Sequence, residues 1–222
     1  MISDSNFKPS SFLHLIFILI LSLFTSVSYA ENTAFDFAVG ISGAGNEQGN
    51  DVALDSSNNI YTVGTFSGTV DFDPSASIYN LTSSGGTDAF VAKHDPVGNF
   101  LWAIKLGGAS NDAAYDVAVD SAGNAHVKGG FTGTVDFDPS ASTTSLSSGI
   151  GSSVFILKLT TSGGFVWAKS IDSHQSAENG GLAVDSSGNL YINGRFKQTA
   201  DFDPNVGTFE LTSSGTGTGI DA

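Results

Sequence analysis

The sequence Asp-Phe-Asp-Pro occurs three times in the chain, and in each copy two carboxylates stand two residues apart. Residues i and i+2 of an extended strand lie on one side of it, so both carboxylates face one way and the phenylalanine faces the other. Calcium takes about six to eight oxygen ligands, which carboxylates can supply together with backbone carbonyls and water. The motif therefore predicts calcium ligands at Asp71, Asp73, Asp136, Asp138, Asp201 and Asp203.

A structural role for the same motif is the alternative prediction. In that role the phenylalanine anchors the segment to the fold, which contributes about 1.5 to 3 kcal/mol when the ring is fully buried. The aspartates accept hydrogen bonds from turn amides, and the proline ends the strand. The motif also lacks the glycine and the distal glutamate of an EF-hand loop. Calcium is therefore permitted but not required, and no other cofactor is predicted.

The motif lies within a longer repeat. Residues 133–142 repeat residues 68–77 letter for letter. The step from Asp71 to Asp136 and the step from Asp136 to Asp201 are both 65 residues. A period that is held without insertion is typical of structural units that stack on one another.

Each repeat contains four short apolar segments, which in the second copy are 116–120, 125–129, 154–158 and 165–168. Turn residues separate them, as expected of hairpins, and both faces of most segments carry apolar residues. Sheets stacked face to face, as in propeller blades, fit this pattern better than a barrel with one wet face. A blade usually has about 40 to 50 residues, so roughly 20 remain as an insertion between the second and third strands. That insertion contains Asp-Phe-Asp-Pro.

Two segments carry a resemblance to a known family. Asp-Val-Ala-Val-Asp-Ser-Ala-Gly-Asn at 116–124 and Phe-Val-Ala-Lys-His-Asp-Pro-Val-Gly-Asn-Phe-Leu-Trp at 90–102 resemble the SBBP type of bacterial β-propeller repeat. The resemblance covers nearly all of the chain after its first thirty or so residues. It implies an exported or surface-associated propeller, but neither one activity nor a catalytic set of residues. The chain departs from its own repeat at His126, where the other copies have Tyr61 and Tyr191.

The repeat count predicts an incomplete, open propeller of about three blades. The expected units are about 51–115, 116–180 and a truncated 181–222, while 31–50 completes the last strand of a blade. Closed propellers use about four to eight blades, so three units do not close a ring alone. Two explanations stay open: the chain is the N-terminal part of a longer protein with further blades, or several copies assemble into one ring. An exposed sheet edge predicts self-association in either case.

The first 30 residues have the pattern of a signal peptide. Lys8 precedes an apolar run at 12–24, and Ser28-Tyr29-Ala30 places small residues where a signal peptidase cleaves, before Glu31. The run is shorter than the roughly 20 residues of a membrane span, so none is expected after cleavage. The pattern predicts a secreted or cell-surface protein, with the periplasm as the alternative location.

The composition limits the classes of function. The formal net charge is −14, and phosphate contacts need clustered Lys and Arg, so nucleic acid is not an expected partner. The histidines fall at unrelated phases of the repeat, and only His126 and Glu178 are loose catalytic candidates. We therefore expect a non-enzymatic scaffold that binds a protein, a glycan or a surface. The alternative is the N-terminal part of an exported hydrolase or lyase whose active site lies outside this chain.

Overall fold

The structure is a computed structural model that describes residues 37–171, 180–196, 199–205 and 207–213. The predicted signal peptide, residues 1–30, lies outside the described residues. The strands are β1 (Ser42–Gly43), β2 (Glu47–Leu54), β3 (Ile60–Asp71), β4 (Asn80–His94), β5 (Phe100–Leu106), β6 (Ala113–Val119), β7 (Ala125–Asp136), β8 (Ser145–Leu159), β9 (Phe165–Ile171), β10 (Leu182–Val184), β11 (Leu190–Ile192), β12 (Thr199–Asp201) and β13 (Glu210–Thr212).

Two successive repeats form antiparallel sheets whose strands follow one another in chain order. Blade 1 consists of β2 to β5 and blade 2 of β6 to β9. The strands β10 and β11 pair with each other, as do β12 and β13, and we call these two hairpins the third repeat. The predicted all-β propeller fold with four-stranded blades is thus confirmed. Within the described ranges the sheets do not close into a ring.

The turns that join the first two strands of each repeat have one conformation. Asn58 has a φ of 62°, and its counterparts Gly123 and Gly188 have φ values of 81° and 84°. This left-handed backbone is the one that glycine and asparagine tolerate best, which explains their recurrence at this position. The aspartate that precedes each turn accepts hydrogen bonds from two turn amides, as Asp55 does from Ser57 and Asn59.

The predicted insertion is a continuation of the hairpin between the second and third strands. In blade 1 the pairing of β3 with β4 shifts register between Ser67 and Thr69 and then continues to Asp71 and Asn80. Gly68 lies at the shift with a φ of 68°, a conformation that a side chain would strain. Blade 2 repeats this geometry, with the register shift on either side of Gly133.

Beyond the register shift, the hairpin folds back onto its own blade. Its tip residue Tyr79 packs against Phe100 of β5, with ring centroids 4.8 Å apart. The Tyr79 hydroxyl donates a hydrogen bond of 3.1 Å to the Ala103 carbonyl. The ring of Phe72 meets that of Phe90, with centroids 5.0 Å apart. The motif therefore lies against the sheet and does not project from it.

The main core lies between blades 1 and 2. Blade 1 contributes the buried side chains of Tyr61, Val63, Ala89, Val91 and Leu106 to it. Blade 2 contributes an aromatic cluster of Phe131, Phe137 and Phe155, together with aliphatic residues of β6 to β9. A second contact of this kind joins blade 2 to the third repeat, through Val154, Ile156, Ile171, Leu190, Ile192 and Phe202.

The residues before β2 also contact blade 1. The short strand β1 pairs with the end of β3, at Val70 and Asp71. A Cβ added to Gly98 would lie 2.9 Å from the Phe37 ring, and one added to Gly163 would lie 3.0 Å from the Trp102 ring. Phe37 is thus placed against blade 1 as Trp102 is placed against blade 2. The predicted unit boundaries stay predictions, because parts of 31–50 and of 181–222 lie outside the described residues.

Candidate functional site

The Asp-Phe-Asp-Pro motif forms the tip of each folded-back hairpin. In blade 1, Asp71 accepts hydrogen bonds from the amides of Asp73 and Tyr79, at 3.1 and 2.8 Å. Asp73 accepts one from the Ser75 amide at 2.9 Å. The Phe72 side chain between them is completely buried. The carboxylates therefore shape the loop, and the ring anchors it.

The other copies of the motif have the same bonds. Asp136 accepts from the amides of Asp138 and Thr144, and Asp201 accepts from those of Asp203 and Phe209. Hydroxyl pairs also recur across the hairpin, at 2.8 to 2.9 Å, and they join Thr69 to Thr82, Thr134 to Ser147 and Thr199 to Thr212. Most residues of the exactly repeated stretch thus have a structural role, which explains why they repeat.

The calcium prediction concerns these same carboxylates. Among the described residues, no group of three or more His, Cys, Asp or Glu side chains could hold a metal ion. A carboxylate pair that already accepts amide hydrogen bonds still has oxygen lone pairs for other donors. Calcium binding at the six aspartates therefore stays a prediction.

A cluster that the sequence did not predict lies on the opposite face of blade 1, between it and blade 2. The Lys93 ammonium lies 3.1 Å from the Asp55 carboxylate, and both side chains are more than nine-tenths buried. Lys93 also donates to the Tyr61 hydroxyl at 2.7 Å. Burial alone would raise the pKa of Asp55, but the bonds from Asn59 and Lys93 outweigh it and hold that pKa below its usual value. Burial raises the pKa of Tyr61.

This cluster is bonded to the next blade. The Tyr61 hydroxyl donates to the Gly123 carbonyl at 2.8 Å. The Thr161 carbonyl accepts from both Lys93 and the indole nitrogen of Trp102, at 3.2 and 3.1 Å. These donors and acceptors belong to two different blades, so the cluster locks blade 1 to blade 2. Asp55, Lys93 and Trp102 recur 65 residues later as Asp120, Lys158 and Trp167. This recurrence is the sequence signal from which the cluster could have been predicted.

The corresponding cluster of blade 2 has a histidine in place of the tyrosine. Asp120 contacts Lys158 at 2.9 Å and the His126 Nε2 at 3.1 Å. Burial opposes ionisation of Asp120, but hydrogen bonds from Asn124, Lys158 and His126 hold its pKa well below the usual range. Burial lowers the pKa of His126, against the pull of Asp120. Among the described residues, the buried His126 Nδ1 has no hydrogen-bond partner.

The remaining histidines and the candidate Glu178 are described only in part. His94 is the last residue of β4 and is buried, because the folded-back hairpin covers this side of the sheet. Burial lowers its pKa, although Asp73 and Asp95 act in the opposite direction. His14, His174 and Glu178 lie outside the described residues. His126 is therefore not brought together with Glu178 by any described contact, and the enzyme alternative stays a prediction.

A second set of polar contacts joins the innermost strands. Asp51 accepts a hydrogen bond from the Val117 amide, and Asp116 accepts one from the Leu182 amide, each in the following repeat. Burial and the neighbouring Asp51 raise the pKa of Asp116. The buried Lys128 ammonium donates to the Gly180 and Asn193 carbonyls, both at 2.9 Å, and burial lowers its pKa. These bonds also act between repeats.

A surface groove lies between the hairpin tip of blade 2 and the outer strand of blade 1. Its volume is about 360 Å³, and its lining includes Tyr79, Leu81, Lys105, Asp136 and Asp138. Tyr79 is 40% exposed, so the part of its surface that does not pack on Phe100 is accessible to a ligand. The groove combines an aromatic surface with a cation and two carboxylates. One period later, Thr144 stands in place of the tyrosine.

Among the described residues, no helix is long and apolar enough to cross a membrane.

Comparison with known proteins agrees with this architecture. No family model matches the chain. An uncharacterized WD repeat-containing protein of Acanthamoeba polyphaga mimivirus is 29% identical over 186 residues, which is 72% of this chain and 13% of that relative. The chain thus spans about an eighth of the length of the relative it matches. WD repeats form propeller blades, so the similarity supports a repeat scaffold of β-propeller type.

Proposed function

We propose that the chain is an exported β-propeller scaffold of the SBBP type that binds protein or glycan partners at the cell surface and catalyses no reaction. The observation that carries this proposal is the recurrence of the buried charged clusters one period apart. A catalytic site is asymmetric, because a reaction needs different groups around one point. Asp55 with Lys93 and Asp120 with Lys158 instead occupy equivalent places and join neighbouring elements.

The groove beside Tyr79 is the surface that we assign to a glycan partner. A sugar ring can pack its C–H face on the Tyr79 ring, while its hydroxyls donate to the carboxylates of Asp136 and Asp138. Each of these aspartates uses Oδ1 for amide bonds of the hairpin tip, so Oδ2 takes no part in them. Pockets of this kind, with an apolar surface and a few fixed polar groups, are typical of small-ligand sites.

A glycan array tests the binding proposal. The wild-type protein is expected to bind a subset of glycans, and Tyr79→Thr, which copies the residue of the next repeat, is expected to lose that binding. Ile78→Thr is the matched control, since Ile78 is 74% exposed and does not line the groove. Equal binding by wild type and Tyr79→Thr contradicts the groove assignment. An array without any bound glycan contradicts the glycan proposal and leaves a protein as the partner.

Export is tested separately, by intact mass after expression of the full chain in a bacterium. Cleavage by a signal peptidase is expected to release a chain that begins at Glu31. An uncleaved chain that stays in the cytoplasm contradicts export without affecting the binding proposal.

A further inference from the structure

The contact between blades 1 and 2 defines two complementary faces of a repeat. We call the side that meets the following repeat the forward face, which in blade 1 includes Tyr61, Val63 and Val91. The side that meets the preceding repeat is the backward face, which in blade 2 includes Val117 and the Gly123 carbonyl. Blade 2 meets the third repeat in the same way, through Ile156 on one side and Ile192 on the other.

The backward face of blade 1 is partly uncovered. Val52 and Leu54 on β2 are 59% and 57% exposed. Val117, which stands one period after Val52, is only 4% exposed because blade 1 covers it. Phe37 already fills the outer part of this face, against Gly98, as Trp102 does against Gly163. The open part therefore lies at the inner strand, where the preceding repeat would contribute its two inner strands.

The forward face of the third repeat is also uncovered. Tyr191 is 61% exposed, whereas Tyr61, its counterpart in blade 1, is fully buried and bonded to the next blade. Tyr191 lies on β11, which pairs with β10, and these are the inner strands of the third repeat. One chain thus presents a forward face and a backward face that both lack their usual partner among the described residues.

We propose that the occupant of each open face is a second copy of this chain, docked head to tail. In one copy the Tyr191 hydroxyl donates to Asp185 Oδ2 at 3.3 Å, and docking redirects it to the Asn58 carbonyl of the next copy. Asn58 has the left-handed backbone of Gly123, whose carbonyl accepts from Tyr61. The exposed valine and leucine of β2 are covered in the same contact, which removes apolar surface from water.

The new contact differs from the internal ones in one respect. In the first two repeats, the carboxylates of Asp51 and Asp116 accept a hydrogen bond from an amide of the following repeat. The third repeat has Gly181 at this position, so the contact between two copies lacks this hydrogen bond. The association is therefore weaker than the contact between blades 1 and 2. Each copy carries both faces, so head-to-tail contacts either close into a ring or continue as an open assembly. This inference deepens the proposed scaffold function by naming one partner, and it rests on that function.

Light scattering of the full chain over a wide concentration range tests the proposal. Wild type is expected to form assemblies larger than a monomer, and their mass is expected to rise with concentration. Val52→Asp with Leu54→Asp closes the backward face, and Tyr191→Asp closes the forward face, so each variant alone is expected to be a monomer. Mixed together, these two variants are expected to form a one-to-one dimer that grows no further, since each retains one intact face.

Leu101→Asp and Val166→Asp are the matched controls, because both side chains are exposed on outer strands, at 47% and 43%. They are expected to assemble as wild type does. Wild type that stays monomeric at every concentration overturns the proposal and favours further blades of the same chain as the occupant. Assembly that survives Val52→Asp with Leu54→Asp overturns it as well. Neither result changes glycan binding or signal cleavage, so failure here is distinguishable from failure of the proposed function.

Discussion

The clusters around Tyr61 and His126 occupy the same place in two successive blades but make different bonds. Tyr61 donates across the blade boundary to the Gly123 carbonyl and accepts from Lys93 of its own blade. His126 is bonded within its own blade, to Asp120, and its ring centroid lies 6.1 Å from that of Trp167. The two clusters therefore share an Asp–Lys pair but differ in whether the third member reaches the next repeat.

The difference shows which parts of the cluster are needed for the fold and which can vary. The aspartate has two roles in the fold: it accepts hydrogen bonds from the turn amides, and its charge neutralises that of the lysine. The third member varies, since blade 2 contacts the third repeat through other groups, among them Lys128 and Asp116.

Replacement of the lysine is expected to affect blade 1 more than blade 2. Lys93→Met leaves the buried Asp55 without its cation and is expected to lower the free energy of unfolding by about 3 kcal/mol. Lys158 is more exposed, at 22%, and Asp120 keeps its bond to His126, so Lys158→Met is expected to cost about 1 kcal/mol. Urea unfolding curves measure both. Equal losses of unfolding free energy in Lys93→Met and Lys158→Met would contradict the difference between the two clusters.

Removal of the tyrosine hydroxyl tests the bond across the blade boundary. Tyr61→Phe leaves the Gly123 carbonyl without this donor and is expected to cost about 1 to 2 kcal/mol of unfolding free energy. Tyr191→Phe, measured at a dilution where the chain is a monomer, is the control. Tyr191 is 61% exposed and its hydroxyl makes only a long bond of 3.3 Å to Asp185, so a much smaller change is expected. Differential scanning calorimetry compares the two. A loss in Tyr191→Phe as large as that in Tyr61→Phe would show that the hydroxyl acts in another way.

The reciprocal exchange of the third member is expected to change stability in opposite directions. His126→Tyr removes the buried nitrogen that lacks a described partner and is expected to stabilise by about 1 kcal/mol. Tyr61→His removes the hydroxyl bonds and is expected to destabilise by a similar amount. Chemical denaturation at neutral pH measures both. Destabilisation by His126→Tyr would mean that this site requires imidazole.

The pH dependence of stability is expected to differ between wild type and His126→Tyr. Burial lowers the folded-state pKa of His126 below the unfolded value of about 6.5, so the unfolded chain binds more protons as the pH falls below that value. The contribution of this group to stability is therefore present above about pH 6.5 and is lost as the pH falls below it. His94 contributes in the same direction. Unfolding curves at neutral and mildly acidic pH are expected to show a smaller loss in His126→Tyr, and identical losses would exclude His126 as a source.

The sequence was sufficient to predict the strands that are packed on both sides. The apolar runs around Val63, Val91 and Val127 gave the second and third strands of a blade, because a buried strand must be apolar on both faces. The hairpin extension was predicted only as an insertion. Its strands are rich in Thr, Ser and Gly, and few of their side chains, such as Val70, are buried. Such a pattern has no clear period, and a loop has the same composition.

The candidate site was predictable in part. The alternative role for Asp-Phe-Asp-Pro, with an anchoring ring and aspartates bonded to turn amides, matches the bonds of Asp71 and the burial of Phe72. The pair of Asp120 and Lys158 was not predicted, because its members are 38 residues apart and meet only when the turn lies beside the third strand. Lys93 recurs one period later as Lys158, which indicated a structural role for this lysine. The sequence did not indicate that its partner is Asp55.

The central claim is that the charged cluster around Tyr61 locks blades 1 and 2 into one cooperative unit. Native-state hydrogen exchange, followed by mass spectrometry on peptides from β3–β4 and β7–β8, tests it most directly. The most protected amides of both hairpins are expected to open with one common free energy, and Lys93→Met with Tyr61→Phe is expected to lower the protection of blade 1 below that of blade 2. Two separate opening free energies in wild type, unchanged by these substitutions, would contradict the claim.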